Sequence, residues 1–458
     1  MQPSGILREL LGRLPRDIVI DPEAPSYESL RRVWNDMIDR RPSAIIRPGD
    51  VKQVSEVVRL AATTGLPLAV RCGGHSFPGF STCDGGIVLD LSRMNTVSVD
   101  PEARLANVGG GALLRDVDRA TAKYGLVVPA GVVSHTGAGG LTLGGGMGWT
   151  SRRFGLTIDN LVSAEVVTAN GEILEVSDSS HPDLFWGLRG GGGNFGIVTR
   201  FQFRVHTLGP ISVGVWNYAP TRVAEALEGL SALAKRAPRS QTHTIGLTKS
   251  GLRVTAFYNG PDGLGHESVA PFGNLAGPGD GGLEDMDFLE LQSRSDDFMR
   301  WGRRYYGKGG FFGDLNPGVI REMADLSSNA PNEDSEFFMI HLGGAVSDVS
   351  DDATAYTGRQ AEFFWLAQAI WDDALEDEQC LSWGREAGQR LEARSQVGNY
   401  VNEQSDVGQR VSELAYGKTK YNRLAALKAK YDPSNLFRLN QNIAPAHGVS
   451  EPNRDQAT

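Results

Sequence analysis

Glycine in this chain is gathered into four stretches, residues 73–86, 109–111, 131–148 and 187–196, lying between runs of apolar residues. No collagen-like or linker-like period runs through them. A glycine placed this way lets one backbone approach another backbone or a ligand closely, because no Cβ intervenes. Several such stretches predict loops wrapped round a ligand rather than disorder. The enrichment is real: 57 of 458 residues are glycine, against a usual share of about 7%.

The first stretch says most. The apolar run 66–70 leads directly into Arg71-Cys72-Gly73-Gly74-His75-Ser76. Two glycines after a strand allow backbone N–H groups to crowd a phosphate. Arg71 offers a fixed charge suited to one. His75 is the side chain there that is nucleophilic when neutral. A bound cofactor and a tight turn capped by histidine both satisfy this hexapeptide. The segment 129–149, PAGVVSHTGAGGLTLGGGMGW, is too rich in glycine for a stable helix and too apolar for a linker, which predicts a long buried turn round a ligand.

Other chemistries lack a signature. The run 190–196 has dinucleotide-like glycine spacing, but a β-branched strand follows where a Rossmann helix should stand. No P-loop, Gly-x-Ser-x-Gly elbow or His-Glu-x-x-His is present, and the eight histidines do not pair at metal spacing, so no metal is expected. Three scattered cysteines argue against a disulfide framework. A net charge of −10 favours neither nucleic acid nor an anionic membrane. No apolar run nears the ~20 residues of a membrane span, and the charged amphipathic helix expected at the N-terminus is no secretory signal. The expected location is cytoplasmic, and the expected state a monomer or homodimer.

The length predicts two or three domains. A helix begins after Pro48-Gly49-Asp50, hairpins are expected at 96–108 and around Asn170-Gly171, and a helix over 113–124 is closed by Gly125. After residue 208 the glycine clusters thin out, and helices alternate with strands at 223–237, 252–258 and 337–342. Residues 273–282 read as a surface connection, 420–431 as a last helix, and the tail from Ser450 as polar and disordered.

Read together, RCGGHS at 71–76, GVVSHTGAGGLTLGGGMGW at 131–149, FGLTIDNL at 154–161 and YDPSNLFRLNQNIAP at 431–445 resemble the berberine bridge enzyme-like flavoprotein oxidases of the vanillyl-alcohol oxidase superfamily. The bacterial branch that includes 6-hydroxy-D-nicotine oxidase and the enterocin-pathway oxidase is similar. The resemblance implies an α+β, two-domain PCMH-type FAD-binding fold. Residues 1–208, with a core of about 38–208, would form the FAD-binding domain. An antiparallel-sheet substrate domain would span 209–396, and 397–458 would rejoin the first.

It further implies FAD joined covalently to His75. Arg71, Cys72, Gly73, Gly74, Ser76, Val133, Thr136, Gly137, Gly139, Gly140, Gly144, Gly145, Gly146 and Val198 would stand round the cofactor, with Asp159, Asn160, Asn440 and Asn442 as further polar contacts. Val133 takes the position of the cysteine that forms a second flavin bond in plant members, so a single bond through His75 is implied. Thr136 falls where the family controls oxygen access to the flavin. On the substrate side, Tyr306, His341, Tyr400 and Glu403 are candidate bases, with Lys308 sharing a strand face with Tyr306. Alternation along 336–341 sets Phe338 and Ile340 opposite Met339 and His341. Trp301, Phe311 and Trp365 are candidates for an aromatic pocket. The expected function is oxidation of a small organic molecule (an alcohol, hydroxylated ring, sugar carbon or amine), with electrons passing to O2 as hydrogen peroxide. The alternatives are a dehydrogenase with another acceptor and a catalytically silent flavin protein.

Overall fold

The computed structural model describes residues 12–260, 263–396 and 398–446. Most of the expected N-terminal helix, and the tail from Ser450, lie outside the described residues.

Near the start of the chain, Ala44–Ile46 and Leu68–Arg71 flank Ile87–Asp90 in parallel, with Val19–Ile20 added at one edge. The crossover between them is the helix Val51–Thr64. Asp50 caps it by accepting the Gln53 N–H at 3.0 Å, and Gly65 at φ +66° ends it. Its Val54, Val57, Val58 and Ala61 are fully buried, the apolar face the sequence pattern predicts.

A second, five-stranded antiparallel sheet runs in the order Val97–Asp100, Leu105–Gly109, Ile197–Arg204, Leu161–Val167, Ile173–Ser177. Both expected hairpins are present in it. The third sheet has eight antiparallel strands, ordered Asp280–Glu284, Ser212–Tyr218, Gly251–Tyr258, Gln241–Thr248, Glu336–His341, Phe363–Trp371, Arg304–Phe312 and Asn399–Gln404. Val223–Ala234, Pro317–Ser328 and Asp377–Glu392 pack on one face, where Leu227, Met323 and Ala387 share a core with Leu247, Phe337 and Trp365.

Three readings of the sequence change here. The strand Asn399–Gln404 pairs with Arg304–Phe312, so it closes the edge of the eight-stranded sheet, and the chain returns to the first domain only after it. Asp280–Glu284 overlaps the surface connection expected at 273–282, yet it pairs with Ser212–Tyr218 as the strand at the opposite edge. The last helix spans Gln409–Tyr431 and is broken at Gly417, where φ is +66°.

The glycine-rich segment also holds a helix, Ala138–Gly144, where the composition predicts a long turn. Each glycine costs a helix about 1 kcal/mol relative to alanine, but packing reverses the choice. A Cβ on Gly137 would lie 2.3 Å from the Gly73 nitrogen, and one on Gly139 3.0 Å from the Gly110 oxygen. Leu143 meanwhile enters the core beside Ala112 and Phe201.

The segment 432–442 is folded by one buried ion pair. Lys428 Nζ bonds Asp432 Oδ2 at 2.7 Å and the carbonyls of Asn194 and Phe437. Asp432 accepts the N–H groups of Leu436 and Phe437, each at 2.8 Å. All partners of the two charges are thereby supplied internally.

Candidate active site

A cavity of about 380 Å³ runs between the first domain and the eight-stranded sheet. Its floor is made by the turn 72–77 and the segment 131–143, which interlock backbone to backbone. A Cβ on Gly73 would sit 2.2 Å from the Gly137 nitrogen, and Gly74 needs φ +71°. Cys72, Gly73, Gly74, His75, Ser76, Val133, Thr136, Gly137, Gly139, Gly140, Val198 and Asn440 all line it.

The His75 ring is held between neighbours. It stacks on Trp34 with centroids 4.8 Å apart and planes 16° apart, and Trp34 stacks in turn on Tyr305. His75 Nε2 lies 2.6 Å from His135 Nδ1. Burial first, and the adjacent His135 second, push the His75 pKa well below its ordinary value, so the ring is neutral.

The opposite wall belongs to the sheet. Glu336, Phe338 and Ile340 face the cavity from one strand, and Leu366 and Gln368 from the next, confirming the alternation that sets Phe338 and Ile340 against His341. Tyr400, Asn402, Glu403 and Gln404 stand at the edge. The Tyr400 oxygen accepts the Gly146 N–H and the Asn402 Nδ2–H, both at 2.9 Å. Burial raises its pKa. Burial also pushes Glu403 up to about 8, and Glu336, bonded by Gln368 Nε2 at 2.7 Å, up to about 7.

Several expected site residues stand elsewhere. Arg71 points away from the cavity, its guanidinium spent on the carbonyls of Leu30 and Arg31. Among the described residues no lysine or arginine lines the cavity, so it offers a phosphate no side-chain cation. Asp159 is taken by Arg359 in a buried bidentate pair at 2.7 and 2.8 Å, and Asn160 bonds the carbonyls of Phe154 and Leu156. Gly144, Gly145 and Gly146 lie just behind the wall, packed on Asn402, Tyr356 and Thr157, and Asn442 is outside it too.

Tyr306 and Lys308 do share a face, but the one turned to the helix Asp377–Glu392. Tyr306 bonds Asp406 at 3.0 Å, and Lys308 pairs with Glu392 at 2.6 Å. His341 is buried on the same far side, its Nε2 lying 2.8 Å from a Glu362 carboxylate oxygen and 2.9 Å from an Arg152 guanidinium nitrogen. Trp365 and Phe311 are core, and Trp301 is exposed beside His75. Sequence reasoning missed His135, Glu336, Gln368, Asn402 and Gln441. For Glu336 a signal existed, since the period-two argument that places Phe338 places it too.

Residues 42–177 match the family described as FAD binding domain, and residues 399–444 the family described as berberine and berberine like. An FAD-linked oxidoreductase of Dictyostelium discoideum is 33% identical over 422 residues, 91% of this chain and 92% of that one. The crystal structure of 6-hydroxy-D-nicotine oxidase from Arthrobacter nicotinovorans superposes with a TM-score of 0.84 at 28% identity, covering 93% and 98% of the two chains. Glucooligosaccharide oxidase from Acremonium strictum, described with a 6-S-cysteinyl, 8α-N1-histidyl FAD, shares the fold at a TM-score of 0.86, 23% identity and coverages of 97% and 100%. The fold and site define an FAD-dependent oxidoreductase. The chain belongs to the berberine bridge enzyme-like family of FAD-linked oxidoreductases.

The cavity fits that cofactor. Cβ positions on Gly140 and Gly193 open onto free space, leaving room for a ligand against the backbone. Asn440 Oδ1 and the side-chain oxygens of Gln368, Gln404 and Gln441 are buried acceptors on the wall with no donor among the described residues. Such acceptors are costly unless a ligand supplies N–H or O–H groups.

The raised carboxyls set a pH dependence. Glu403 titrates near 4.5 when unfolded and near 8 in the fold, so the folded state binds the extra proton between those values. Unfolding free energy therefore falls as pH rises from 4.5 to 8 and levels off above. Glu336 contributes with the same sign up to about pH 7. Glu403→Gln should remove its share, so that between pH 5 and 8.5 the variant loses up to about 4 kcal/mol less than wild type in urea unfolding. Parallel pH profiles would show that Glu403 is ordinary.

Proposed function

We propose that this protein is an oxidase that takes a hydride from a small organic substrate onto FAD bonded once to His75, and passes the electrons to O2 with release of hydrogen peroxide. The observation that supports this most is a single cavity with a neutral His75 in its floor and Tyr400, Glu403 and Glu336 on its wall. FAD supplies the hydride acceptor. The chain supplies binding, orientation and the movement of a proton.

Tyr400 is the candidate for that proton. Its oxygen accepts from both Gly146 and Asn402, which favours the phenolate against the effect of burial, and it lines the space open to substrate. Glu403 and Glu336 are carboxyls that form no salt bridge among the described residues. They and Gln368 are suited to the hydroxyl or amino groups of an alcohol, hydroxylated ring, sugar or amine. The hydride step would be followed by oxygen access past Thr136, a small side chain on the cavity wall.

A panel of alcohols, sugars and amines scored by peroxide release tests the reading. Bleaching of the flavin by substrate without peroxide in air would favour another electron acceptor, and no bleaching by any compound would favour a silent flavin protein. Within an active enzyme, Thr136→Leu should slow reoxidation of the flavin about tenfold or more while leaving reduction by substrate nearly unchanged. Thr136→Val keeps the volume and removes the hydroxyl. Stopped-flow reoxidation slowed by leucine alone marks a steric gate, slowing by both marks the hydroxyl, and no change in either removes Thr136 from the oxygen path.

A further inference from the structure

We propose that His135 is the positioning residue for flavin attachment: it accepts the Nε2–H of His75, leaves the His75 Nδ1 lone pair as the nucleophile, and takes the proton that this ring must lose. The proposal rests on the reading that His75 carries the flavin.

The geometry is fixed from three sides. Ser134 binds the Asp296 carboxylate through its N–H at 2.9 Å and its hydroxyl at 2.5 Å, which pins the loop. His135 Nε2 lies 3.4 Å from the Asp296 carbonyl, an acceptor only, which places the ring N–H on Nε2. His135 Nδ1 is then an unprotonated acceptor, and at 2.6 Å it can face only a donor, the Nε2–H of His75. With that tautomer set, His75 Nδ1 carries the free lone pair, and no described residue bonds it. The stack on Trp34 keeps the ring from turning over, since Trp34 is itself held by Tyr305 at 3.6 Å and by its indole N–H on the Met299 carbonyl at 2.6 Å.

The chemistry needs such a partner. Bond formation joins Nδ1 to the 8α carbon of the flavin. One C–H of the 8α-methyl and one N–H of the imidazole are lost. Two electrons and both protons end on dioxygen as hydrogen peroxide, and the flavin finishes oxidised. As Nδ1 gives up its lone pair the imidazole becomes cationic, and a buried site disfavours that charge. His135 Nδ1 stands in line to take the Nε2 proton, and the resulting imidazolium lies beside the segment that carries the Asp296 carboxylate.

The test uses protein expressed with limited riboflavin, mixed with FAD in air. The readout is the fraction of flavin that stays with the denatured chain over time. His135→Ala should attach flavin about 100-fold more slowly than wild type, while flavin that co-elutes with the native protein shows the site folded and filled. Added imidazole should restore part of the rate to His135→Ala. His135→Gln, whose Oε1 accepts a hydrogen bond but no proton, should also be slow, and it decides the matter by the same criterion if the alanine variant holds no flavin natively. The histidyl-flavin released by digestion of wild type should be the Nδ1 isomer. Equal attachment rates in wild type and variants, or an Nε2 isomer, would overturn the role of His135 and leave covalent attachment standing. Wild-type protein that never retains flavin would overturn both.

Discussion

His75→Ala should leave all of the flavin extractable by acid or organic solvent, whereas the wild-type chain should stay yellow and fluorescent after denaturation. The expected difference is complete, because a covalent bond survives unfolding and a cradle of backbone N–H groups does not. The variant should still bind FAD in its native state, since most of the cavity is made by other residues. Its reduction potential should fall, because the bond replaces a hydrogen of the 8α-methyl with an electron-withdrawing imidazolyl group. Mass spectrometry of digested wild type should find flavin on one peptide only. Cys72 is the single cysteine on the cavity wall, and its thiol donates to the Ala112 carbonyl and is pushed up to about 11 by burial, so it is no nucleophile at neutral pH. Flavin that separates fully from denatured wild type would refute the covalent reading, and flavin on a second peptide would refute the single bond.

Tyr400→Phe should lower the rate of flavin reduction by substrate by about 10²–10⁴-fold, the usual size for loss of a positioned acid or base. The effect should fall on reduction and spare reoxidation by O2, because no substrate proton moves in the second half-reaction. Phenylalanine keeps the ring against Tyr356 and Phe364 but strands the Gly146 N–H, so a stability loss of about 1–3 kcal/mol accompanies it. Asn402→Ala separates the two effects. It keeps the phenol and the Gly146 contact and removes one of the two donors to the oxygen, so reduction should slow less and its pH profile should shift upward. Anaerobic stopped-flow traces in which Tyr400→Phe reduces as fast as wild type would move the proton step to Glu403 or Glu336.

The sequence by itself was sufficient for whatever depends on neighbours in the chain. Asp50 and Gly65 bracket a helix whose valines recur on one face, Asn170-Gly171 turns a hairpin, and the turn at 72–76 lines the cavity because glycines admit close approach. The motifs at 71–76, 131–149, 154–161 and 431–445 are likewise continuous in the chain, and it was their resemblance to FAD-binding oxidases that made the class legible. Legible too was the alternation that turns Phe338 into the cavity and His341 out of it. What local pattern leaves open is which surface an element turns toward a distant partner. Arg71 ends a strand that points it at the N-terminal carbonyls, and Tyr306 and Lys308 lie on the face that a helix about 70 residues later in the chain covers.

The glycine-rich helix at 138–144 is the clearest case. Its intrinsic propensity is poor, and only contact with residues 73 and 110 makes small size worth more than helix preference. The pairing of His75 with His135 is of the same kind. Sixty residues separate them, and they meet because two glycine turns interlock and Asp296 ties the second loop down. Tertiary packing alone decided that contact, since a hydrogen bond between side chains fixes positions in space and leaves no period in the sequence.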